Sequence, residues 1–508
     1  MQLTQPLRRN QLLYADRAAT WCAGREKTWA ELCERTARLA AGLRARGARP
    51  GDRIGILSAN SDYFVEAFYA IAWAGCVAVP FNTRWAPTEV EHALNECRPR
   101  LMLLGAGHLR YRELIAFAGI PVIGMDAVVD ESSVDILVEG SHSMADESGS
   151  GHDLAAIFYT GGTTGRSKGV MVSHDNLVTN FFLLQAVQPY DSDTIFLHTP
   201  PLFHMAAASC LFGLTTLAAT HVILPGFDAL AAIQAIERHR ITALLLVPTM
   251  IGMLCETLES RGGDLSSVRR LTYGASPISA GILKRAMKLM PNARFCQGYG
   301  QTEVSCFLCV LDHKDHLAGR LHSAGRPLPS VDVRVVDAQF CDVPTGEVGE
   351  IVTRGPCVML GYWQQPETTA QTIINGWLRT GDAGRFDAEG YIYLVDRVKD
   401  MIISGGENVF SAEVEVALMS HPDVLQCAVI GVPDERWGER VHAVIYLRDK
   451  ATVTAIDLLA HCAPLIAKYK QPKSFDLRCE PLPLSAVGKI AKTELRKAHW
   501  SGQSRNIG

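Results

Sequence analysis

The chain has little of what would mark it as a membrane, exported or nucleic-acid-binding protein. Its most apolar stretch, Ala206 to Pro225, is interrupted by Ser209, Gly213, Thr215, Thr216, Thr220 and His221. It therefore reads as a buried helix followed by a strand rather than a transmembrane span. Arg8 and Arg9 near the N-terminus are not followed by an apolar run of signal-peptide length, so export is not expected. There is no excess of positive charge: 49 Lys and Arg face 53 Asp and Glu, a formal net charge of −4, which leaves no basic face for nucleic acid. The 14 cysteines show no repeating framework, and a chain of 508 residues has no need of disulfide staples. Free thiols in a reducing, cytoplasmic compartment are expected. The one C-x-x-C, Cys306 to Cys309, lacks the second pair that a zinc or redox site needs, even with His313 and His316 close by, and reads as core cysteines. Internal repeats and low-complexity segments are absent. A soluble metabolic protein remains.

At 508 residues and 48% hydrophobic content, two or more domains with sizeable cores are expected. Thr28-Trp29-Ala30-Glu31 is a capping-box pattern, with Leu32, Leu39 and Leu43 on a helical stripe that Gly47 closes. Strand and helix then alternate: 53–57 as strand, 63–73 as helix, 76–79 as strand, 88–95 as helix and 101–104 as strand, which argues a parallel α/β layer fold. Residues 126–151 carry Asp, Glu, Ser and Gly without periodicity and read as a surface connection. Further strands are expected at 222–224, 243–247 and 270–273, with a helix over 229–239. From Val331 the texture changes to short strands among Gly/Pro turns, a β-rich subdomain with strands at 331–336, 349–354 and 391–395. A compact α+β tail comes next, with a helix over 412–420 and strands at 425–430 and 440–446.

Within that frame, Tyr159 to Val170 reads YTGGTTGRSKGV, directly after the apolar segment Leu154 to Phe158. Four glycines free the backbone to turn its N–H groups inward, the threonine and serine hydroxyls add donors, and Lys168 adds a mobile positive charge. A flexible linker would sit between polar flanks; apolar flanks favour a polyphosphate clamp. The spacing is neither a Walker A nor a G-x-G-x-x-G loop, so another kind of nucleotide site is implied.

This stretch resembles the first signature of the adenylate-forming superfamily of acyl-CoA synthetases, peptide-synthetase adenylation domains and luciferases. Gly161 stands where serine is usual and Ser167 where proline is usual, and both keep the loop polar and flexible. The resemblance runs from the region of Thr28 to Leu495, with at least six motifs in order. It implies a large N-terminal domain over residues 1–397 and a small mobile C-terminal domain over 398–508.

Residue by residue, it implies that Thr160, Gly161, Gly162, Thr163, Thr164, Gly165 and Lys168 hold phosphate. QGYGQTEVS supplies Gly298, Tyr299 and Gly300 to the nucleotide site, with Tyr299 against adenine, Thr302 on the phosphate that becomes AMP, and Glu303 with Thr164 on Mg²⁺, a hard ion suited to oxygen ligands. Gly274-Ala275-Ser276-Pro277 resembles the adenine-side loop. Asp382 in Arg379-Thr380-Gly381-Asp382 and Arg397 in Asp396-Arg397-Val398-Lys399 resemble the ribose residues, with Lys399 as hinge and Asp396 where glycine is more usual. Gly405, Gly406 and Glu407 fall in the loop that lines the pantetheine tunnel in relatives, with Ser411 replacing the usual proline. Lys489, in a motif where Val487 replaces the common Thr or Ser, implies a cation that neutralises charge as the acid attacks the α-phosphate. His204 and Met205 stand at the carboxylate pocket, and Gly300 where acetate-specific relatives carry a tryptophan that closes the pocket.

The implied activity is ATP-dependent ligation of a carboxylic acid to coenzyme A through an acyl-adenylate, with release of AMP and pyrophosphate. The stretches 205–208 and 304–308 are small or apolar and hold no cation for a second carboxylate, so an apolar monocarboxylic acid is expected, fatty acyl before aryl. A stand-alone enzyme loading a carrier protein and a luciferase-like oxygenase are the alternatives, and a homodimer is compatible with the sequence.

Overall fold

The computed structural model describes residues 1–129, 131–160, 167–276, 278–397, 400–405, 407–449, 451–484 and 490–500, with the side chains of Arg397 and Asn408 also left aside. These residues divide into two compact units: 1–160, 167–332 and 353–378 form one, and 333–352 with the described residues from 379 onward form the other. The architecture is mixed α/β.

In the first unit, the capping box forms as the sequence implies. Thr28 Oγ1 accepts from Glu31 N at 3.2 Å and the Glu31 carboxylate accepts from Thr28 N at 2.8 Å, starting the helix Trp29–Ala45, whose inner stripe buries Leu32, Leu39 and Leu43. The strands Arg53–Leu57, Val77–Pro80 and Leu101–Leu104 pair in parallel, and Leu154–Thr160 joins beside Val77–Pro80. Lys168–Ser173 and Gly361–Tyr362 extend this sheet antiparallel at one side and Val122–Gly124 pairs in parallel with Leu101–Leu104 at the other, giving seven strands among the described residues. A nine-stranded sheet has Ile195–His198, Thr220–Ile223, Ala243–Leu246, Arg270–Gly274 and Arg294–Tyr299 as its parallel centre. On one of its faces pack helices such as Ala229–His239 and Pro248–Arg261, through Ile233, Ile236, Ile251 and Leu254.

The connection at 126–151 is more ordered than expected. Ser133 caps a short helix, Val134–Glu139, that buries Val134, Leu137 and Val138. Six residues are too few for a helical period to show in the sequence, which is why it reads as loop.

Two buried polar clusters brace this unit. Arg25 grips Asp62 with contacts of 2.7 and 3.1 Å, Lys27 reaches Asp62 at 2.9 Å and also Glu66, and Arg35 bridges Glu66 (2.7 and 3.0 Å) to Asp135 (2.6 Å). Burial alone would raise the Asp62 carboxyl, but Arg25 and Lys27 hold it down at about 2. On adjacent strands, His198 Nε2 and His221 Nδ1 lie 2.9 Å apart, and His221 Nε2 meets Thr215 Oγ1 at 3.2 Å. Burial holds both rings neutral, His221 down to about 3.

Asp332–Val336, Gly349–Arg354, Trp377–Phe386 and Ile392–Arg397, most of whose residues fall in the second unit, belong to one sheet. Trp377–Phe386, a ten-residue strand, is not among the expected strands, because the polar Arg379-Thr380-Gly381-Asp382 carries no apolar alternation; Thr380 Oγ1 donating to Ile351 O at 2.7 Å holds that polar stretch against its neighbour. The other sheet contains Ile402–Ser404, Glu407–Val409, Val424–Asp434, Gly438–Leu447 and Ser474–Arg478. The helix Ser411–Met419 covers it through Val414 and Leu418, on a core with Ile402, Val429, Val441 and Ile445.

Candidate active site

Thr160 and Lys168 are directly paired where Leu154–Thr160 and Lys168–Ser173 run antiparallel, so the candidate phosphate loop is the connection of a hairpin whose two ends are fixed side by side. The loop residues Gly161, Gly162, Thr163, Thr164 and Gly165 themselves lie outside the described residues. Beyond the pairing, the Lys168 ammonium stands 4.9 Å from the centre of the Tyr362 ring, close enough for a cation–π contact. Tyr362 in turn donates from its hydroxyl to Glu303 Oε1 at 2.9 Å. Burial, then the nearby Glu303 charge, push the Tyr362 phenol well above its ordinary range, so it stays protonated and a donor.

Glu303 sits on a one-turn 3-10 helix, Thr302–Val304, beyond the end of the strand Arg294–Tyr299. The chain then makes an unusual turn: Ser305 has φ of 57° and Cys306 of 111°, the latter a conformation that only glycine adopts readily. The turn is held from outside. Asn180, buried in the helix His174–Val187, donates to Val304 O (3.1 Å) and Phe307 O (2.7 Å) and accepts from Phe307 N (3.1 Å). Ser305 Oγ donates to Cys357 O at 2.9 Å, and Met359 N donates to Glu303 O at 2.9 Å. Neither Asn180 nor Tyr362 was found from sequence. For Asn180 a signal existed, an amide among Leu177, Phe181 and Leu184 on the apolar side of a helix, which must find partners if buried. For Tyr362 a Gly-Tyr pair offered none.

Gly274 and Gly298 lie abreast in register at the ends of their strands, where a side chain at Gly274 would meet Gly298 O at 2.2 Å. Ala275, next to them, is exposed and left-handed at φ of 68°, and Ser276 is half-buried. Tyr299 is buried and its carbonyl accepts from Leu308 N at 2.8 Å. At Gly300 the turn is tight. A side-chain carbon there would stand 1.9 Å from Cys306 O and 2.9 Å from Leu308 N, so the space is taken by backbone of the same turn and no tryptophan fits without rebuilding it. His204 precedes the helix Met205–Thr215 and packs on Phe203 with ring centres 4.3 Å apart; Met205 is buried.

Cys306 and Cys309 are buried and free, and burial pushes the Cys306 thiol up to about 12. Its C-x-x-C is a core feature: among the described residues there is no group of three His, Cys, Asp or Glu able to hold a metal, and His316 is taken by the Tyr273 hydroxyl at 2.8 Å.

In the second unit, Asp382 and Arg397 are directly opposed in an antiparallel pair, so the two candidate ribose residues are brought together by register. Asp382 is buried, and its N–H donates to Thr380 Oγ1 at 3.1 Å. Gly405 N donates to Trp437 O at 2.8 Å, and Glu407, paired with Ser404, is exposed. Lys399, Gly406 and Lys489 lie outside the described residues. Just past Lys489, the Lys492 ammonium meets Ser411 Oγ at 2.6 Å and Glu415 at 2.7 Å.

Residues 7–363 match the AMP-binding enzyme family and residues 413–489 the AMP-binding enzyme C-terminal domain. The chain is 40% identical over 479 residues to a feruloyl-CoA synthase of an Amycolatopsis species, covering 93% of this chain and 94% of that protein. It is 34% identical over 476 residues to the long-chain-fatty-acid–CoA ligase FadD13 of Mycobacterium tuberculosis, covering 93% of each. Among solved structures, the o-succinylbenzoate CoA synthetase of Bacillus subtilis, in complex with its acyl-adenylate intermediate, superposes with a TM-score of 0.87 at 29% identity over 99% of both chains.

Proposed function

The chain belongs to the AMP-binding enzyme family, and from that premise we propose that it is an ATP-dependent carboxylic acid–CoA ligase acting on an apolar monocarboxylic acid through an acyl-adenylate. The observation that carries the reading is the convergence of Lys168, Tyr362 and Glu303 at the mouth of the glycine-rich hairpin: a cation for phosphate and a held carboxylate for its metal.

In this reading Thr160, Gly161, Gly162, Thr163, Gly165 and Lys168 cradle the phosphates, and Thr302 bonds the phosphate that remains as AMP. Gly274, Ala275, Ser276, Gly298, Tyr299 and Gly300 accept the base, and Asp382 with Arg397 the ribose. Magnesium fits the donor set: no protein cage is needed for an ion that takes one or two carboxylates and completes its shell with phosphate and water, and Glu303, with Thr164, would hold it. When bound, it supplies charge neutralisation on the triphosphate. A substrate carboxylate oxygen, seated near His204 and Met205, attacks the α-phosphorus; the bond to pyrophosphate breaks, and Lys489 offsets the charge that develops. The CoA thiol, led past Gly405, Gly406 and Glu407, then attacks the acyl carbonyl and AMP departs. Lys399 is the hinge, dividing the chain into 1–397 and 398–508. These steps need no protein thiol, and burial keeps Cys306 protonated.

The motifs alone put fatty acyl before aryl; the feruloyl-CoA synthase at 40% identity, against 34% for the long-chain enzyme over similar lengths, supports placing an aryl acid first. A fatty acid is the second reading, which the second relative favours. The unpaired state of all 14 cysteines supports a reducing, cytoplasmic setting. The test is pyrophosphate release with ferulate, cinnamate, benzoate, octanoate and palmitate, with and without CoA. Thioester with an aryl acid at the highest kcat/KM is expected. Octanoate or palmitate leading would reverse the order again, and acyl-AMP that is never passed to CoA would overturn the ligase reading in favour of carrier loading.

A further inference from the structure

Tyr362 touches two residues of opposite charge with two different parts of itself. Its ring lies under the Lys168 ammonium and its hydroxyl donates to Glu303 Oε1. The backbone that carries it is fixed from several sides. Tyr362 pairs with Val170, two residues beyond Lys168, and Trp363 N donates to Gly169 O at 2.7 Å. Tyr362 N donates to Thr369 Oγ1 at 2.9 Å, and the Trp363 indole donates to Glu96 O at 3.2 Å. The hydroxyl therefore comes from a rigid platform, whereas a glutamate side chain has three torsions to settle. The same segment also holds the Glu303 main chain, through Met359 N.

We propose that Tyr362 is a positioning residue: its hydroxyl orients the Glu303 carboxylate for the magnesium–triphosphate, while its ring gives Lys168 a separate partner. This rests on the reading of Glu303 as the magnesium carboxylate. A hydroxyl on one oxygen of the carboxylate fixes the rotation of the group and leaves its charge intact. The acid and the CoA thiol are not addressed by Tyr362.

The test is equilibrium binding of ATP to the full chain by calorimetry, once with saturating Mg²⁺ and once with EDTA, for wild type, Tyr362→Phe, Glu303→Gln and the double variant. Tyr362→Phe keeps the ring under Lys168, and its melting temperature reports whether the fold is retained. Removing one hydrogen bond to a charged group should weaken binding with Mg²⁺ by about tenfold or more and leave binding in EDTA unchanged. The Mg²⁺ concentration giving half-maximal pyrophosphate release should rise in parallel, with the KM for the acid unmoved. The double variant should bind MgATP no more weakly than Glu303→Gln alone. If Tyr362→Phe weakens binding equally in EDTA, or its effect adds in full to that of Glu303→Gln, the positioning role is overturned while the Glu303 reading stands. If Glu303→Gln itself leaves the Mg²⁺ dependence untouched, the Glu303 reading falls and this inference with it.

Discussion

The helix Trp29–Ala45 and the turn from Gly300 to Leu308 are both closed by a few hydrogen bonds, but the partners come from opposite ends of the scale of chain distance. The helix is started by Thr28 and Glu31, three residues apart. The turn is held by Asn180, 124 to 127 positions away, by Cys357 and by Tyr362. The helix has relaxed backbone, whereas the turn contains Ser305 and Cys306 at positive φ. A locally closed element can form early; a remotely closed one holds its shape only once the rest of the unit is in place, which is how strain is kept at a candidate site.

The hardest blow to that contrast is Asn180→Leu. The side chain keeps its size, but two carbonyls and one N–H in the turn lose their buried partner, and unfolding free energy should fall by about 4 kcal/mol. Urea unfolding measures it, and a loss under about 1 kcal/mol, the scale of a single net hydrogen bond, would mean the turn holds itself. Second is Lys489→Ala, which separates loss of chemistry from loss of shape. Acyl-AMP formation should drop about a hundredfold or more, with the melting temperature unchanged and with supplied acyl-AMP still converted to thioester by CoA. Equal loss of both half-reactions would remove Lys489 from its assigned role.

Third, the His198–His221 pair offers a remote closure that pH can open. Both rings stay neutral in the fold, His221 down to about 3, while in the unfolded chain they protonate near their ordinary value. Between those values the unfolded state binds more protons, so this stability is full at neutral pH and is lost as pH falls from the histidine range toward 3. Each ring should contribute a slope of about 1.4 kcal/mol per pH unit, and His221→Gln should flatten the curve by one such share. An unchanged slope would show that the ring titrates normally. Fourth, Cys306→Gly should be more stable than Cys306→Ala by about 1 kcal/mol, since only alanine is strained at positive φ; the two melting curves decide it. Last, Thr28→Ala should cost about 1 kcal/mol, measured by the same unfolding assay, with adenylation untouched.

Legibility in the sequence obeys the same division. The capping box, the strands at 53–57 and 101–104, and the helix over 229–239 rest on neighbours in the chain, and the structure has them. The short helix Val134–Glu139 was hidden by its length, and the strand through Asp382 by the polar residues its motif requires. The motifs name residues whose chemistry is visible in one dimension: glycines, a lysine, a carboxylate. Asn180 and Tyr362 act through carbonyls and a carboxylate far along the chain, and a single sequence gives no spacing that links 180 to 304 or 362 to 303. Gly300 adds what no motif displays: a side chain there would run into backbone of its own turn.

The short strand Gly361–Tyr362 has one more property, which is one of parity. Successive residues of a strand face opposite sides, so the meeting of Tyr362 with Glu303 depends on an even or odd count of residues rather than on a graded distance. A shift of one position against Val170 and Met171 would present Trp363 or Gly361 to Glu303, and a shift of two would restore a facing side chain of the wrong kind. Single-residue insertions or deletions between Cys357 and Gly361 should therefore be far less tolerated than substitutions at the same places, although none of those residues bears a charge.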